Sequence, residues 1–160
     1  MQLHNTKIDI DKGNREKLIE MLNKRLADAS DLKSQAKQAH WNVKGMQFIA
    51  LHELFDEVAT AVEAHIDLIA ERVTTLGGTA YGTVRQAAQK SSLGEYPLEI
   101  TDGTAHVDAV STALADFGKR VRADIDKAGD LGDQDTADIL TEISRETDKN
   151  LWFVEAHIQV

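Results

Sequence analysis

The chain contains no cysteine, one proline and only ten glycines among its 160 residues. Without cysteine it can form neither disulfide bonds nor thiolate metal sites, so any metal must be held by histidine, aspartate and glutamate. The scarcity of proline and glycine favours a few long helices over many short strands. No stretch approaches the roughly 18 uninterrupted apolar residues of a membrane span, and the first residues do not resemble a signal sequence. We therefore expect a cytoplasmic protein without a membrane partner.

Excess positive charge is also missing, because the formal net charge is −9. Such a chain repels nucleic acid overall and attracts cations, so DNA binding would require a local basic arm. In the first seventeen residues, basic side chains are nearly balanced by acidic ones: Lys7, Lys12, Arg15 and Lys17 against Asp9, Asp11 and Glu16. A short arm of this charge releases few counterions, so we expect weak or absent DNA binding at physiological salt.

Hydrophobic periodicity predicts an all-α domain over residues 1–160, with 1–13 as a short N-terminal arm. Apolar side chains recur every three or four residues along four long segments. The predicted helices cover about 14–42, 47–76, 104–128 and 134 to the chain end, with a short helix at about 83–91. Asn14 is the expected N-cap of the first helix, while Gly77 and Gly129 mark the ends of the second and third. This is a four-helix bundle with a short helix in the long connection between helices two and three, the connectivity of ferritin-like bundles.

The second helix carries side chains that can bind metal. With His52 at zero and about 100° per residue, Asp56, Asp67 and Glu71 fall at about 40°, 60° and 100°. These four residues share one arc, which borders the apolar stripe of the same helix. Such side chains are expected at the edge of an interface. Spacing alone leaves open the alternative that they form an ordinary solvated face.

The spacing of these residues predicts a site shared between two subunits. His52 and Asp56 are neighbours on the helix surface, as are Asp67 and Glu71, but the two pairs are separated by about 16 Å of helix rise. One straight helix cannot bring both pairs to one ion. If two copies of the helix pack antiparallel about a two-fold axis, His52 faces Glu71 and Asp56 faces Asp67 of the other copy. Imidazole and carboxylate ligands suit iron, manganese or zinc, and anionic ligands favour Fe(III) over Fe(II).

Several segments resemble the Dps family of mini-ferritins. Gln38-Ala39-His40-Trp41-Asn42-Val43-Lys44-Gly45 resembles the end of that family's first helix. Leu51–Glu57 and His65–Arg72 resemble its second helix, and Asp135–Leu140 and Leu151–Glu155 its fourth. The resemblance covers nearly the whole chain, and the His-Trp element with His-x3-Asp-x10-Asp-x3-Glu is its specific part. The Glu-x-x-His signature of ordinary ferritins is absent, which favours the Dps branch.

This resemblance implies an iron-storage and detoxification cage, most simply a dodecamer with two-fold dimer contacts. It implies a ferroxidase that oxidises Fe(II), preferably with hydrogen peroxide rather than oxygen, stores the ferric mineral and protects against oxidative damage. Iron is the implied metal, with zinc as an alternative occupant of the same site. The implied ligands come from two subunits, with Trp41 close by: His40, His52 and Asp56 from one, and Asp67 and Glu71 from the other.

An acidic cluster at the junction of the last two long helices has two interpretations: Asp130, Asp133, Asp135 and Asp138. These residues cap helices, or they line the acidic three-fold pore that Dps shells place near this segment. We expect pore lining from at least one of them. Glu63 falls inside the metal arc at about 20° and is either an accessory iron carboxylate or an exposed surface residue.

The remaining candidates are assigned to structure rather than to the site. His65 falls outside the arc at about 220°, and His4, His106 and His157 have no ligand pattern beside them. Trp152 is expected to pack, while Trp41 either packs or quenches radicals.

Two other function classes remain as alternatives. One is a nucleoid-associated DNA-binding protein with secondary iron chemistry, and the other is a helical interaction module without metal. The first requires tight DNA binding, and the second predicts that His52→Ala and Asp56→Ala leave iron oxidation unchanged.

Overall fold

The structure is a computed structural model that describes residues 3–159. Apart from an isolated bridge between Lys44 and Asp102, the regular elements of these residues are all helical. None of the described helices is long and apolar enough to cross a bilayer. The helices are α1 (Lys12–Asn42), α2 (Phe48–Thr75), α3 (Val84–Lys90), α4 (Gly103–Asp130) and α5 (Gln134–Glu155). The predicted bundle with a short helix in its long connection is confirmed.

The four long helices enclose one apolar core. Helix α1 packs against α2 and α4, α5 packs against the same two helices, and α3 lies on α1. Each long helix contributes large side chains without solvent exposure, for example Leu18, Phe55, Phe117 and Leu140. Burial of such a side chain stabilises the fold by roughly 1.5–3 kcal/mol. The apolar stripe of each long helix must therefore face the core, which fixes the rotation of the helix about its axis. The arc of α2 that carries the predicted ligands borders this stripe and is thereby left at least partly exposed.

The start of α1 corrects one prediction. Asp11, not Asn14, is the N-cap, and its Oδ1 accepts hydrogen bonds from the N–H groups of Gly13 and Asn14 at 2.8 and 3.3 Å. The Asn14 amide instead donates to the Leu131 carbonyl at 3.1 Å, where it satisfies a helix-terminal acceptor of α4. Both residue types cap helices well, and the tertiary contact decides between them.

The ends of α4 and α5 also differ from the prediction. Helix α4 continues through Gly129 to Asp130, and the chain turns at Gly132, which has a φ of 78°. A glycine inside a helix costs only about 1 kcal/mol, so packing carries the helix past Gly129. Helix α5 ends at Glu155, before the end of the chain.

The predicted stop of α2 at Gly77 is confirmed, and the N-terminal arm closes it. Gly77 has a φ of 90°, and a Cβ there would lie 2.6 Å from the His4 carbonyl oxygen. The His4 N–H donates to the Gly77 carbonyl at 2.8 Å, and Arg15 Nη1 donates to the Leu76 carbonyl at 3.0 Å. The arm therefore docks on the C-terminus of α2, where a cationic side chain complements the helix dipole.

Candidate metal centre

The candidate site lies where α1 ends and α2 begins. A short connection reverses the chain, so that His40 in the last turn of α1 meets His52 in the second turn of α2. Their imidazole rings stack with centroids 3.8 Å apart and an interplanar angle of 20°. Phe48, one turn before His52, packs on the second ring at 5.1 Å between centroids. His52, which the spacing predicted as a ligand, therefore lies against His40, which the family resemblance implied.

Reciprocal hydrogen bonds fix both rings. His40 Nδ1 lies 2.6 Å from the His52 carbonyl oxygen, and His52 Nδ1 lies 2.8 Å from the His40 carbonyl oxygen. A carbonyl oxygen only accepts, so each Nδ1 carries the proton and donates. In the neutral form of each ring, the Nε2 lone pair is left for another partner. Backbone carbonyls commonly orient metal-binding histidines in this way.

Asp56 lies one turn beyond His52 and carries the nearest carboxylate. Its side chain is half-exposed, and Lys37 Nζ donates to its Oδ1 at 2.5 Å. This hydrogen bond is the main reason that the pKa of Asp56 is lowered; desolvation opposes it, and the charge of Lys37 and the two histidines add to it. The carboxylate is therefore ionised at neutral pH, ready to bind a cation.

The sequence reasoning missed Lys37. It lies one turn before His40 on the same face of α1, and its Nζ is 5.6 Å from the centroid of the Trp41 ring. The spacing of Lys37 to Trp41, four residues along one helix, was the available signal. The contact with Asp56 crosses between two helices, so periodicity within α2 could not reveal it.

The other two predicted ligands lie elsewhere on α2. Asp67 and Glu71 are exposed, and eleven residues separate Asp56 from Asp67, about 16 Å of helix rise. Within residues 3–159 of one chain, no three histidine or acidic side chains gather closely enough to hold a metal ion. A single subunit thus offers His40, His52 and Asp56 at one end of α2 and two exposed carboxylates further along. That a second subunit unites the two groups remains a prediction.

The donor set fits a divalent transition metal. Two imidazole Nε2 atoms and one carboxylate suit iron or zinc, and the absence of cysteine disfavours softer metals. The carboxylate already binds one cation, the Lys37 ammonium, so the local geometry accommodates positive charge. His40, His52 and Asp56 are all partly exposed.

The two tryptophans are both exposed. Trp41, beside His40, has 66% of its surface exposed, so packing within one chain does not account for it. Trp152 is 60% exposed, contrary to the expectation that it packs. Its neighbours Asn150 and Val154 face the core, and a residue two positions away on a helix points about 200° away from them.

The acidic cluster divides between capping and exposure. Asp133 is buried, is the N-cap of α5 through the Thr136 N–H at 3.0 Å, and pairs with Arg72 at 2.7 Å. These contacts hold its carboxylate inside the protein, so Asp133 does not line an aqueous pore. Asp130, Asp135 and Asp138 are exposed, and their role in a pore remains a prediction.

The residues kept out of the site have structural partners. His65 is buried and bonds Glu146 through Nε2 at 2.7 Å, while His157 Nδ1 lies 2.9 Å from the Phe153 carbonyl oxygen. Glu63 is exposed and pairs with Lys33.

His106 is the second buried histidine, and its Nδ1 lies 2.5 Å from the Tyr96 hydroxyl. Burial lowers the pKa of His106, and burial also raises the pKa of Tyr96. His106 is therefore neutral at pH 7, as a structural core residue requires.

Comparison with known proteins gives matches along nearly the whole chain. A family model described as a ferritin-like domain matches residues 19–160. The DNA protection during starvation protein of Agrobacterium fabrum is 44% identical over 159 residues, which cover 99% of this chain and 98% of that protein. DpsA14 from Streptomyces coelicolor has a TM-score of 0.94 at 32% identity, covering 100% of this chain and 96% of that one. Dps from Microbacterium arborescens, solved in the high iron form, has a TM-score of 0.86 at 30% identity, covering 92% and 96%.

Proposed function

The chain belongs to the Dps branch of the ferritin-like family, and from that premise we propose that it oxidises Fe(II) with hydrogen peroxide at sites shared between subunits. One observation carries the proposal. His40 and His52 are fixed by reciprocal backbone hydrogen bonds beside the ionised Asp56, on a face that is open to solvent. The two carboxylates needed to complete the set, Asp67 and Glu71, lie exposed on the same helix.

The chemistry follows from the donors. Fe(II) binds the two free Nε2 atoms and Asp56, and Asp67 and Glu71 of a second subunit add two negative charges. Because those charges stabilise Fe(III) more than Fe(II), they lower the cost of removing an electron. One hydrogen peroxide accepts two electrons and two protons and yields two waters, so two Fe(II) become two Fe(III). Paired consumption of both reactants leaves no hydroxyl radical.

Storage in a shell follows from the same family membership. The Microbacterium relative has been solved in a high iron form, which supports iron as the cargo of this chain as well. We further propose that the chain assembles into a cytoplasmic, dodecameric cage that holds the ferric mineral and protects against oxidative damage. Zinc suits the same imidazole and carboxylate donors and would compete with Fe(II) for the site.

A DNA-binding function is the second candidate, since the Agrobacterium relative is named for DNA protection. The N-terminal arm argues against tight binding. Arg15 is engaged by the Leu76 and Ile10 carbonyls. The three exposed lysines, Lys7, Lys12 and Lys17, are nearly balanced by the exposed acids Asp9, Asp11 and Glu16. Tight complexes with supercoiled DNA at about 0.15 M salt in a gel shift would favour the DNA-binding alternative.

The ferroxidase test combines anaerobic Fe(II) loading, addition of hydrogen peroxide, and measurement of ferric absorbance and particle mass. We expect Asp56→Ala and Asp67→Ala each to slow oxidation by roughly 10–100-fold or more, as loss of support at metal sites does. Asp126→Ala, which removes an exposed carboxylate from α4, is the control and should oxidise iron like the parent chain.

A mixing experiment tests the sharing of sites. Asp56→Ala and Asp67→Ala subunits are co-assembled in equal amounts. A shared site is then intact where an Asp67→Ala subunit supplies Asp56 and an Asp56→Ala subunit supplies Asp67. Random pairing makes about a quarter of the sites intact, so about a quarter of the parent activity should return. If ligands come from one subunit only, the mixture stays as inactive as its components, and the shared-site proposal is wrong.

A further inference from the structure

Lys37 holds the carboxylate that the proposed site needs. It reaches from α1 across to α2, and its Nζ lies 2.5 Å from Asp56 Oδ1. The lysine side chain is 28% exposed and that of Asp56 is 50% exposed, so both remain accessible from solvent. An oxygen that accepts a hydrogen bond at this distance cannot offer the same lone pair to a metal ion. An ammonium at that position also repels an incoming dication.

We propose that Lys37 is a built-in competitor for the metal, an ammonium that each divalent cation must displace from Asp56 and that thereby sets the affinity of the site. The proposal rests on the proposed function, since it concerns the same ligands. Removal of the lysine charge should tighten metal binding. If Lys37 only held α1 against α2, removal of its charge would leave the metal affinity unchanged.

The ammonium that holds Asp56 also contacts an aromatic ring on its own helix. Lys37 Nζ is 5.6 Å from the centroid of the Trp41 ring, inside the range of a cation–π contact. The lysine can therefore leave Asp56 without losing all of its favourable contacts. Exchange at the carboxylate then needs only a side-chain rotation, which is fast compared with backbone movement.

A matched pair beside it separates this role from ordinary helix contacts. Lys33 lies one turn earlier on α1 and reaches across to Glu63 of α2, also as a partly exposed ion pair. Glu63 is not one of the five ligands of the proposed site. Substitution of Lys33 therefore removes an equal charge and a similar interhelical contact without freeing one of those ligands.

The test is an anaerobic titration of the assembled protein with Co(II), followed by visible absorbance, on the parent chain, Lys37→Gln, Lys37→Arg and Lys33→Gln. We expect Lys37→Gln to lower the Kd on the order of tenfold, because a nearby positive charge is gone. Lys37→Arg, which keeps the charge, should stay within about threefold of the parent chain, and so should Lys33→Gln.

Each result supports or overturns the inference. An unchanged or higher Kd in Lys37→Gln contradicts it, as does equal tightening in Lys37→Gln and Lys37→Arg, or in Lys33→Gln. The proposed function has its own readout, which is loss of Co(II) binding in Asp67→Ala. If the parent chain binds Co(II) and Asp67→Ala does not, but Lys37→Gln changes nothing, the site stands and only the role of Lys37 is wrong. If the parent chain binds no Co(II), both are wrong.

Discussion

Two of the carboxylate–cation contacts that tie α1 to its neighbours differ sharply in burial. Arg25 lies between Asp28 and Asp124 in the core, where all three residues are less than a tenth exposed. Lys37 meets Asp56 at the surface, where the carboxylate is half-exposed. A buried ion pair cannot lose one partner without stranding the other, whereas an exposed pair can exchange its cation for another. Burial therefore separates a structural aspartate from a candidate ligand.

The buried Arg25 contact also belongs to a larger network of polar contacts than the exposed Lys37 contact. Arg25 Nη1 lies 2.7 Å from Asp28 and Nε lies 2.9 Å from Asp124, as close ion pairs. Asp28 accepts further hydrogen bonds from the N–H and hydroxyl of Ser92, at 2.7 and 3.0 Å. The network joins α1, α4 and the segment after α3. Both carboxylates are almost fully buried and already hold cationic side chains of the protein.

The largest expected effect comes from Arg25→Met, which removes the cation and leaves two buried carboxylates. We expect a loss of about 3–5 kcal/mol of unfolding free energy per subunit, seen as a clear fall of the urea midpoint. Lys24→Met, in the adjacent exposed pair with Glu20, is the control and should shift the midpoint little. A loss below about 1 kcal/mol for Arg25→Met would mean that the carboxylates find other partners and that burial is not decisive.

Asp133 is another buried carboxylate, and its substitution should cost less stability than that of Arg25. Asp133→Ala removes both the α5 cap and the partner of Arg72, and we expect a cost of roughly 2–4 kcal/mol. Asp133→Asn keeps a good cap but loses the charge, so it should cost clearly less. Thermal unfolding of the three proteins at one concentration checks the order. Equal losses for both variants would show that the cap contributes nothing.

The sequence predicted the bundle and the position of His52 one turn before Asp56, because helical periodicity and i, i+4 spacing are properties of single helices. His40 was implied only by the family resemblance. It could not choose between Asp11 and Asn14 as cap, since both types suit the position and the Leu131 carbonyl decides. It also missed Lys37, whose partner lies on another helix. The predicted pairing of Asp67 with a second subunit concerns an assembly, which one chain cannot display.

A smaller effect on stability is expected from acid pH, through the buried His106. Burial lowers the pKa of His106, which faces the Tyr96 hydroxyl, although Asp102 acts in the opposite direction. The folded state therefore prefers the neutral ring, and its stability falls as the pH drops below the unfolded value of about 6.5.

Acidification from pH 7 to pH 5 should therefore lower the Tm of the parent chain more than that of His106→Gln. His4→Gln, at an exposed position, should follow the parent chain across the same range. If His106→Gln and the parent chain lose Tm equally, protonation of this buried ring is not a source of the acid sensitivity.

The smallest expected effect is at the exposed pair itself. Lys37→Met should shift the Tm by no more than about 2 °C, because an exposed ion pair contributes little to stability. Arg25→Met likewise replaces a cationic side chain by methionine but is expected to cause a large loss, so the two substitutions together measure the effect of burial. A large fall in Tm for Lys37→Met would make the contact with Asp56 structural, like that of Arg25 with Asp124. A small shift together with tighter Co(II) binding would instead show that the exposed carboxylate is held by an exchangeable cation, as a substrate site requires.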